Sequence, residues 1–287
     1  MSSTTLKTNV RTAFNRSASH YEKNALLQQE VEQRLLERMQ YMKIDPKLIL
    51  DIGAGTGIST LALAKKYKKS KVLAIDISDA MLDIVKHKKP WLSNINELCA
   101  DAEFLPLSDH CCDVVFSNMT FQWCQSYQQL FKEIYRVLKP GGLLMFSTLG
   151  SDSLKELKIS WQQIDEHVHV NNFEDMHDIG DVLLAENFAD PVMDVEWMTL
   201  TYQSVIDVMK DLKVIGAQSL KNSRQKGLMG KAKIAKLQKI YEENFQQDAH
   251  LPLTYEVVYG HAWISDNKLQ QVKDDDFKGI PIVQQAG

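Results

Sequence analysis

Leu48-Ile49-Leu50-Asp51-Ile52-Gly53-Ala54-Gly55-Thr56-Gly57 sets an acid inside an apolar run and then places three glycines at alternate positions. The helical pattern Ile58-Ser59-Thr60-Leu61-Ala62-Leu63-Ala64-Lys65 follows. Together they predict a buried parallel strand, a tight loop and a helix start. Glycines in such a loop permit positive φ and let a ligand lie directly against the main chain. The loop reads as a nucleotide-type cradle.

Spacing and charge narrow the ligand. A dinucleotide fingerprint places a third glycine where this chain has Ile58, and a phosphate-binding P-loop ends in Gly-Lys-Ser/Thr, which is absent. Asp51 stands two residues before Gly53. A carboxylate beside the ligand disfavours a pyrophosphate and favours a cation. S-adenosylmethionine (SAM) carries a sulfonium and an α-ammonium, so its charge fits.

Two further strand ends support that choice. Lys71 to Asp76 reads as a second strand whose Asp76, followed by Ile77, lies 19 residues after Gly57, in position to take both ribose hydroxyls. Hydrogen bonds to a charged group of this kind are worth roughly 1.5–3 kcal/mol each. A third strand, 95–100, ends at Asp101-Ala102, placed to meet the adenine amino group. Any one of these acids is equally well a helix cap, and Ser78 or Asp79 suits the helix 80–87. Asp51, Asp76 and Asp101 at successive strand ends, with Gly53, Gly55 and Gly57, make the joint signal strong.

Strand and helix continue to alternate through 112–118, the helix 127–138 and the turn Lys139-Pro140-Gly141-Gly142 into the strand 143–148. This is the pattern of an α/β, doubly wound, mostly parallel sheet, seven-stranded in all, with the ligand outside the carboxyl ends of the strands. After Gly150 the rhythm changes. Helices are expected at 153–169, 174–187, 203–215 and 231–247, and strands at 192–202 and 253–264 as an antiparallel edge pair. The organisation expected is an N-terminal lid and helix (1–40), a catalytic domain (41–265) with helical insertions over the site at about 153–190 and 203–250, and a polar tail (266–287). Residues 1–13 are polar and read as loose. From Tyr21 to Met39 the apolar positions Leu27, Val31, Leu35 and Met39 step by four, the mark of an amphipathic helix. Ahead of them, the aromatic, basic and hydroxyl cluster from Phe14 to Glu22 suits either a lid over the site or a helix cap with packed rings.

Bulk properties exclude several classes. The 287 residues carry a net charge of −4 and are 44% apolar, enough for a large core and no global case for nucleic acid or membrane. No apolar run approaches the roughly 18 residues of a membrane span, and no signal peptide precedes residue 40. Cys99, Cys111, Cys112 and Cys124 show neither metal spacing nor disulfide-framework density, so no metal is expected, and they read as reduced thiols of a cytoplasmic protein. One stretch stands apart. Lys210 to Lys239 holds nine basic residues against one acid, Asp211, a local +8 that leaves −12 for the remainder. That points to an anionic partner steered by the local field.

The glycine loop with Asp76 and Asp101 resembles the class I SAM-dependent methyltransferases over residues 48–150. A closer resemblance runs along nearly the whole chain. Phe14 to Glu22, Ser117-Asn118-Met119-Thr120-Phe121-Gln122-Trp123-Cys124, Ser147-Thr148-Leu149, Leu212-Lys213-Val214-Ile215-Gly216-Ala217 and Pro252-Leu253-Thr254-Tyr255 resemble the malonyl-acyl carrier protein O-methyltransferases of biotin synthesis. The resemblance implies methylation of the free carboxylate of a malonyl thioester, with S-adenosylhomocysteine as coproduct and an acidic acyl carrier protein docked on the basic segment 210–239. It implies Tyr21 as the aligning group, with Ser117, Asn118, Gln122 and Trp123 as the floor of the site and Ser117 shared with the cofactor. A carboxylate substrate also calls for a cation. Arg224, Lys213 and Arg16 are the candidates. The competing readings are a methyltransferase acting on a small quinone or phenol, a SAM-binding respiratory complex assembly factor and a NAD-binding Rossmann protein. The last is disfavoured by Ile58 and Asp51.

Overall fold

A computed structural model of the chain describes residues 3–214 and 230–266. Seven strands form one sheet in the order β3-β2-β1-β4-β5-β7-β6. They are β1 (Leu48–Ile52), β2 (Lys71–Asp76), β3 (Ile95–Cys99), β4 (Cys112–Ser117), β5 (Leu138–Leu149), β6 (Phe188–Tyr202) and β7 (Leu251–Ile264). β1 to β5 run parallel, and β7 lies antiparallel to both β5 and β6. Lys139 to Gly142 bulge out of β5 between the pairs Cys112–Leu138 and Val114–Leu143.

The apolar run of β1 follows from burial on both faces. Ile49 joins a core built with Leu35 and Met39 of helix α3 (Leu26–Met39) and Leu63 of α4 (Ile58–Lys66). Leu50 and Ile52 point the other way, into a core with Leu130, Phe131 and Ile134 of α6 (Tyr127–Val137). Strand alternation therefore puts Asp51 on the α3 and α4 side. The order reverses at β1, with β2 on one side and β4 on the other. In an open parallel sheet the crevice at that point is where a ligand fits.

The connections largely match the sequence pattern. Helix α5 (Asp79–Lys88) is capped by Ser78, whose Oγ accepts from the Met81 N–H at 3.2 Å. Two expectations are corrected. Residues 3–17 are not loose but form helix α1 (Ser3–Ser17), followed by a single 3-10 turn and the short α2 (Tyr21–Asn24). Leu6, Val10 and Phe14 recur every four residues on it, a stripe hidden by the polar residues between. The helix α8 (Met176–Ala185) is not an insertion above the site. It is a crossover helix packed on β6 and α6, with Ile179 and Leu183 in the second core. The added helices are α7 (Lys155–Gln162), α9 (Val205–Val214) and α10 (Lys231–Phe245), which pack on one another and on β6 and β7.

Candidate functional site

At the carboxyl ends of β1, β2 and β4 a cavity is lined by Ile52, Gly53, Gly55, Asp76, Ile77, Asp101, Ala102, Asn118, Thr120 and Trp123, and is roofed by Lys7, Val10, Phe14 and Tyr21. Gly53 and Gly55 both have positive φ, +72° and +53°. They serve different ends. A Cβ on Gly53 would stand 2.0 Å from Thr120 Oγ1, whereas one on Gly55 would meet no atom closer than 4.0 Å and would project into open space. Gly53 lets the loop pack on the turn after β4, and Gly55 keeps the cavity clear. Gly57 caps α4 in the left-handed conformation and does not line the cavity.

Asp76 is held by main-chain donors. Gly55 N–H donates to Oδ2 at 2.9 Å and Ser78 N–H to Oδ1 at 2.8 Å, fixing the carboxylate at the strand end with its remaining lone pairs free for a ligand. Burial pushes its pKa up to about 6, against the pull of those N–H groups. Asp51 lies behind the loop rather than on the cavity wall. Thr60 Oγ1 donates to its Oδ2 at 2.5 Å, and burial raises its pKa to about 7. Glu32 of α3, which the sequence reading passed over, is its buried neighbour. Burial and the Asp51 charge lift its pKa to about 8. Three carboxyl groups thus sit under and beside one glycine loop, each resisting ionisation because water has been removed.

The wall after β4 is rigid. Ser117 Oγ donates to the Ile52 carbonyl at 2.8 Å, so its side chain ties β4 to β1 and does not face the cavity. Asn118 lines the cavity while clamped on both sides: its Nδ2 donates to the Gln28 carbonyl at 3.0 Å, and its Oδ1 accepts from Ser147 Oγ at 2.7 Å. Trp123 lines the cavity and meets Phe14 edge to face, with centroids 5.5 Å apart. Gln122 turns away. Its Nε2 donates to the Met119 carbonyl at 2.7 Å, its Oε1 accepts from Thr148 Oγ1 at 3.2 Å, and it lines a neighbouring cavity. Tyr21 stands in the roof, its pKa driven up by burial and by the nearby Asp76 and Glu32 charges.

The cations fall differently from the sequence reading. Arg16 is exposed and absent from the cavity lining. Lys213 has only its backbone described, in the last turn of α9, and Arg224 lies outside the described residues. Lys7 is the cation that reaches the cavity among the described residues. Its Nζ lies 2.7 Å from Asp101 Oδ1 and also pairs with Glu103, so α1 is latched over the strand end assigned to adenine.

Residues 50–146 match a family model described as a methyltransferase domain. Proteins named malonyl-acyl-carrier protein O-methyltransferase from Gallionella capsiferriformans and Methylovorus sp. are 48% and 47% identical over 260 and 263 residues. Those matches span 88% and 90% of this chain and 89% and 88% of theirs. The chain belongs to the malonyl-acyl-carrier protein O-methyltransferase family. A member from Legionella pneumophila is 39% identical, over 90% of this chain and 91% of its own. Among solved structures, the YcgJ protein of Bacillus subtilis superposes with a TM-score of 0.57 at 13% identity, over 82% of this chain and 99% of that one. A SAM-dependent methyltransferase from Thermotoga maritima gives 0.53 at 17% identity, over 89% of this chain and 100% of that one. At such identity these two show the shared fold.

Gly55→Ala is expected to weaken SAM binding by at least about tenfold, equal to about 1.4 kcal/mol, with a smaller loss of stability than Gly53→Ala, which must also displace Thr120. Calorimetric titration beside urea unfolding separates the two. The raised carboxyls also set a pH dependence. The folded state holds these protons more tightly than the unfolded chain, so their ionisation cost is absent below about pH 4 and grows as pH rises through about 6 to 8. Asp51→Asn should therefore gain stability relative to the unsubstituted protein as pH rises from about 5.5 to 8, measured by urea midpoints. The lowered pKa of His261 acts in the opposite sense but equally in both proteins.

Proposed function

We propose that this chain transfers the methyl group of SAM to the free carboxylate of a malonyl thioester carried on an acyl carrier protein, giving the methyl ester. The observation that carries the reading is the meeting of Tyr21, Asn118 and Trp123 with Gly53, Gly55 and Asp76 around one cavity, in a chain 48% identical over 88% of its length to a protein of that name.

The residues present suit SAM. Gly55 leaves open space for a ligand against the main chain, Asp76 offers a fixed carboxylate for ribose hydroxyls, and the buried Asp51 and Glu32, whose protons burial retains, would ionise more readily once a cation lies beside the loop. Bound there, SAM supplies an electrophilic sulfonium methyl. The cavity under α1 is only about 80 Å³, against the roughly 300–1,000 Å³ typical of ligand sites. Entry then requires α1 to lift and release Asp101 from Lys7, the gating motion of a lid.

The substrate carboxylate is already ionised at pH 7, so no general base is needed. What remains for the protein is alignment and exclusion of water, and positioning of this kind can supply about 7–11 kcal/mol. Tyr21 suits alignment because its raised pKa keeps the hydroxyl a proton donor. Asn118, immobilised by Gln28 and Ser147, and Trp123, braced by Phe14, form a wall that does not shift as the oxygen approaches the methyl carbon. Lys213 and Arg224 remain the proposed partners of the substrate carboxylate. The acidic carrier protein would dock on the basic segment, whose exposed Lys231, Lys236 and Lys239 lie along α10.

The direct test is mass spectrometry of malonyl-carrier protein incubated with the chain and SAM. One added methyl is expected, and none when acetyl replaces malonyl. Equal labelling of both, or of neither, contradicts the proposal. Tyr21→Phe should lower kcat by at least about tenfold, or about 1.4 kcal/mol, and full turnover would remove Tyr21 from its role. Efficiency on the carrier-bound substrate should fall roughly tenfold or more between low and high salt if docking is electrostatic.

A further inference from the structure

A second cavity, about 490 Å³, lies against the first. It is bounded by α1, the 3-10 turn Phe121–Trp123, the start of α6, residues 171–174 and α8. The two share Val10, Trp123 and Cys124, so these residues form the wall between them. Its lining is unusual in chemistry. Gln128, Asn171 and Asn172, together with Gln122 held by Met119 and Thr148, line a space whose apolar walls include Leu6 and Val182. A carboxamide offers one acceptor and a pair of donors, the complement of a secondary amide. Among the described residues no cation lines this space, and Glu174 and Asp178 are part of its wall. The occupant it fits is therefore long, neutral, amide-bearing and partly apolar.

We infer that this cavity receives the pantetheine arm of the thioester substrate, whose two secondary amides pair with the Gln and Asn carboxamides while its methyl groups pack on Leu6 and Val182. The inference rests on the function proposed above and names where that substrate enters. The anionic end of the arm must lie outside, because the two carboxylates in the wall repel a phosphate. A place for it is close by. His167, Lys233 and Lys236 border a shallow depression between α10 and the loop after α7, where Asp165 is already matched by Lys233 and His169. Asn171 is four positions after His167, so their Cα atoms lie no more than about 14 Å apart. The arm between phosphate and sulfur, when extended, has a similar reach of roughly 14 Å, equal to about four residues of chain. A carrier protein docked on the exposed lysines of α10 would be placed to pass its thioester into this cavity, toward the Trp123 that both cavities share.

Malonyl-pantetheine, which lacks both carrier and phosphate, is the probe, titrated calorimetrically into the protein with S-adenosylhomocysteine present. Val182→Trp fills the cavity, and the double substitution Asn171→Leu/Asn172→Leu removes amides from the loop outside the folded core. Each is expected to raise the Kd for malonyl-pantetheine by about tenfold or more and to lower the preference for it over a malonyl thioester without the diamide arm. The SAM Kd should move less than about twofold. Should Val182→Trp fail to fold, the loop double variant decides alone. Unchanged thioester binding in the folded variants overturns the inference, and so does an equal loss of SAM affinity, which would give the cavity to the cofactor. Failure of the unsubstituted protein to bind malonyl-pantetheine while methylating malonyl-carrier protein overturns the inference alone. Failure to methylate either substrate overturns the proposed function together with it.

Discussion

Removal of water from the carboxylates beneath the glycine loop is the constraint on which the site depends. Asp76 is fixed by the main chain of the loop, Asp51 lies behind it on Thr60, and Glu32 approaches from α3. Buried like charges cost free energy unless a counter-charge arrives. A cationic ligand laid against Gly55 would be that counter-charge, which gives the fold a reason to keep Asp51 and Glu32 behind the loop in addition to the strand-end Asp76. The same burial explains why the loop and α3 must be rigid: a carboxylate that could swing into water would lose its hold on the ligand.

The side proposed for the substrate is built on a different principle. Its groups are neutral and clamped: Asn118 between Gln28 and Ser147, Gln122 between Met119 and Thr148, and Trp123 against Phe14. Neutral alignment suits a nucleophile that is already ionised, because strong stabilisation of the carboxylate would deepen its ground state and raise the barrier. Helix α1 joins the two sides, with Lys7 latched on Asp101 at one, Phe14 on Trp123 near the middle, and Leu6 over the amide-lined cavity at the other. On the proposed reading, cofactor entry and the closing of the substrate path would be coupled through this one element.

The parallel half of the fold was legible because its signals are local and redundant. A strand buried on both faces reads as an apolar run, and loop glycines follow it directly. The strand-end carboxylates Asp76 and Asp101 were found on the same grounds, and both line the cavity. Asp51 was placed at the ligand by its nearness in sequence to Gly53, yet strand alternation turns it toward α3 and α4. Parity with Ile49 carried that information. Glu32 was hidden because it falls one position after Val31, on the flank of the apolar stripe of α3, and only the approach of that helix to β1 buries it. Helix α1 was missed because polar residues separate Leu6, Val10 and Phe14, whose burial comes from the site and not from a core. Lys7 was missed with it, and Arg16, nearer the recognisable motif, was chosen although the helix end leaves it in solvent.

The most direct test of the buried-carboxylate claim is the proton balance of cofactor binding. SAM would be titrated into the protein calorimetrically at about pH 6.5, where its ammonium is already protonated, in two buffers of different ionisation enthalpy. With Asp76 near 6 and Asp51 near 7, an arriving cation should drive both toward the ionised form, so binding should release protons, and Asp51→Asn should release fewer. Binding with no net proton exchange, or with uptake, would contradict the claim that buried carboxyl groups hold the cofactor's charge.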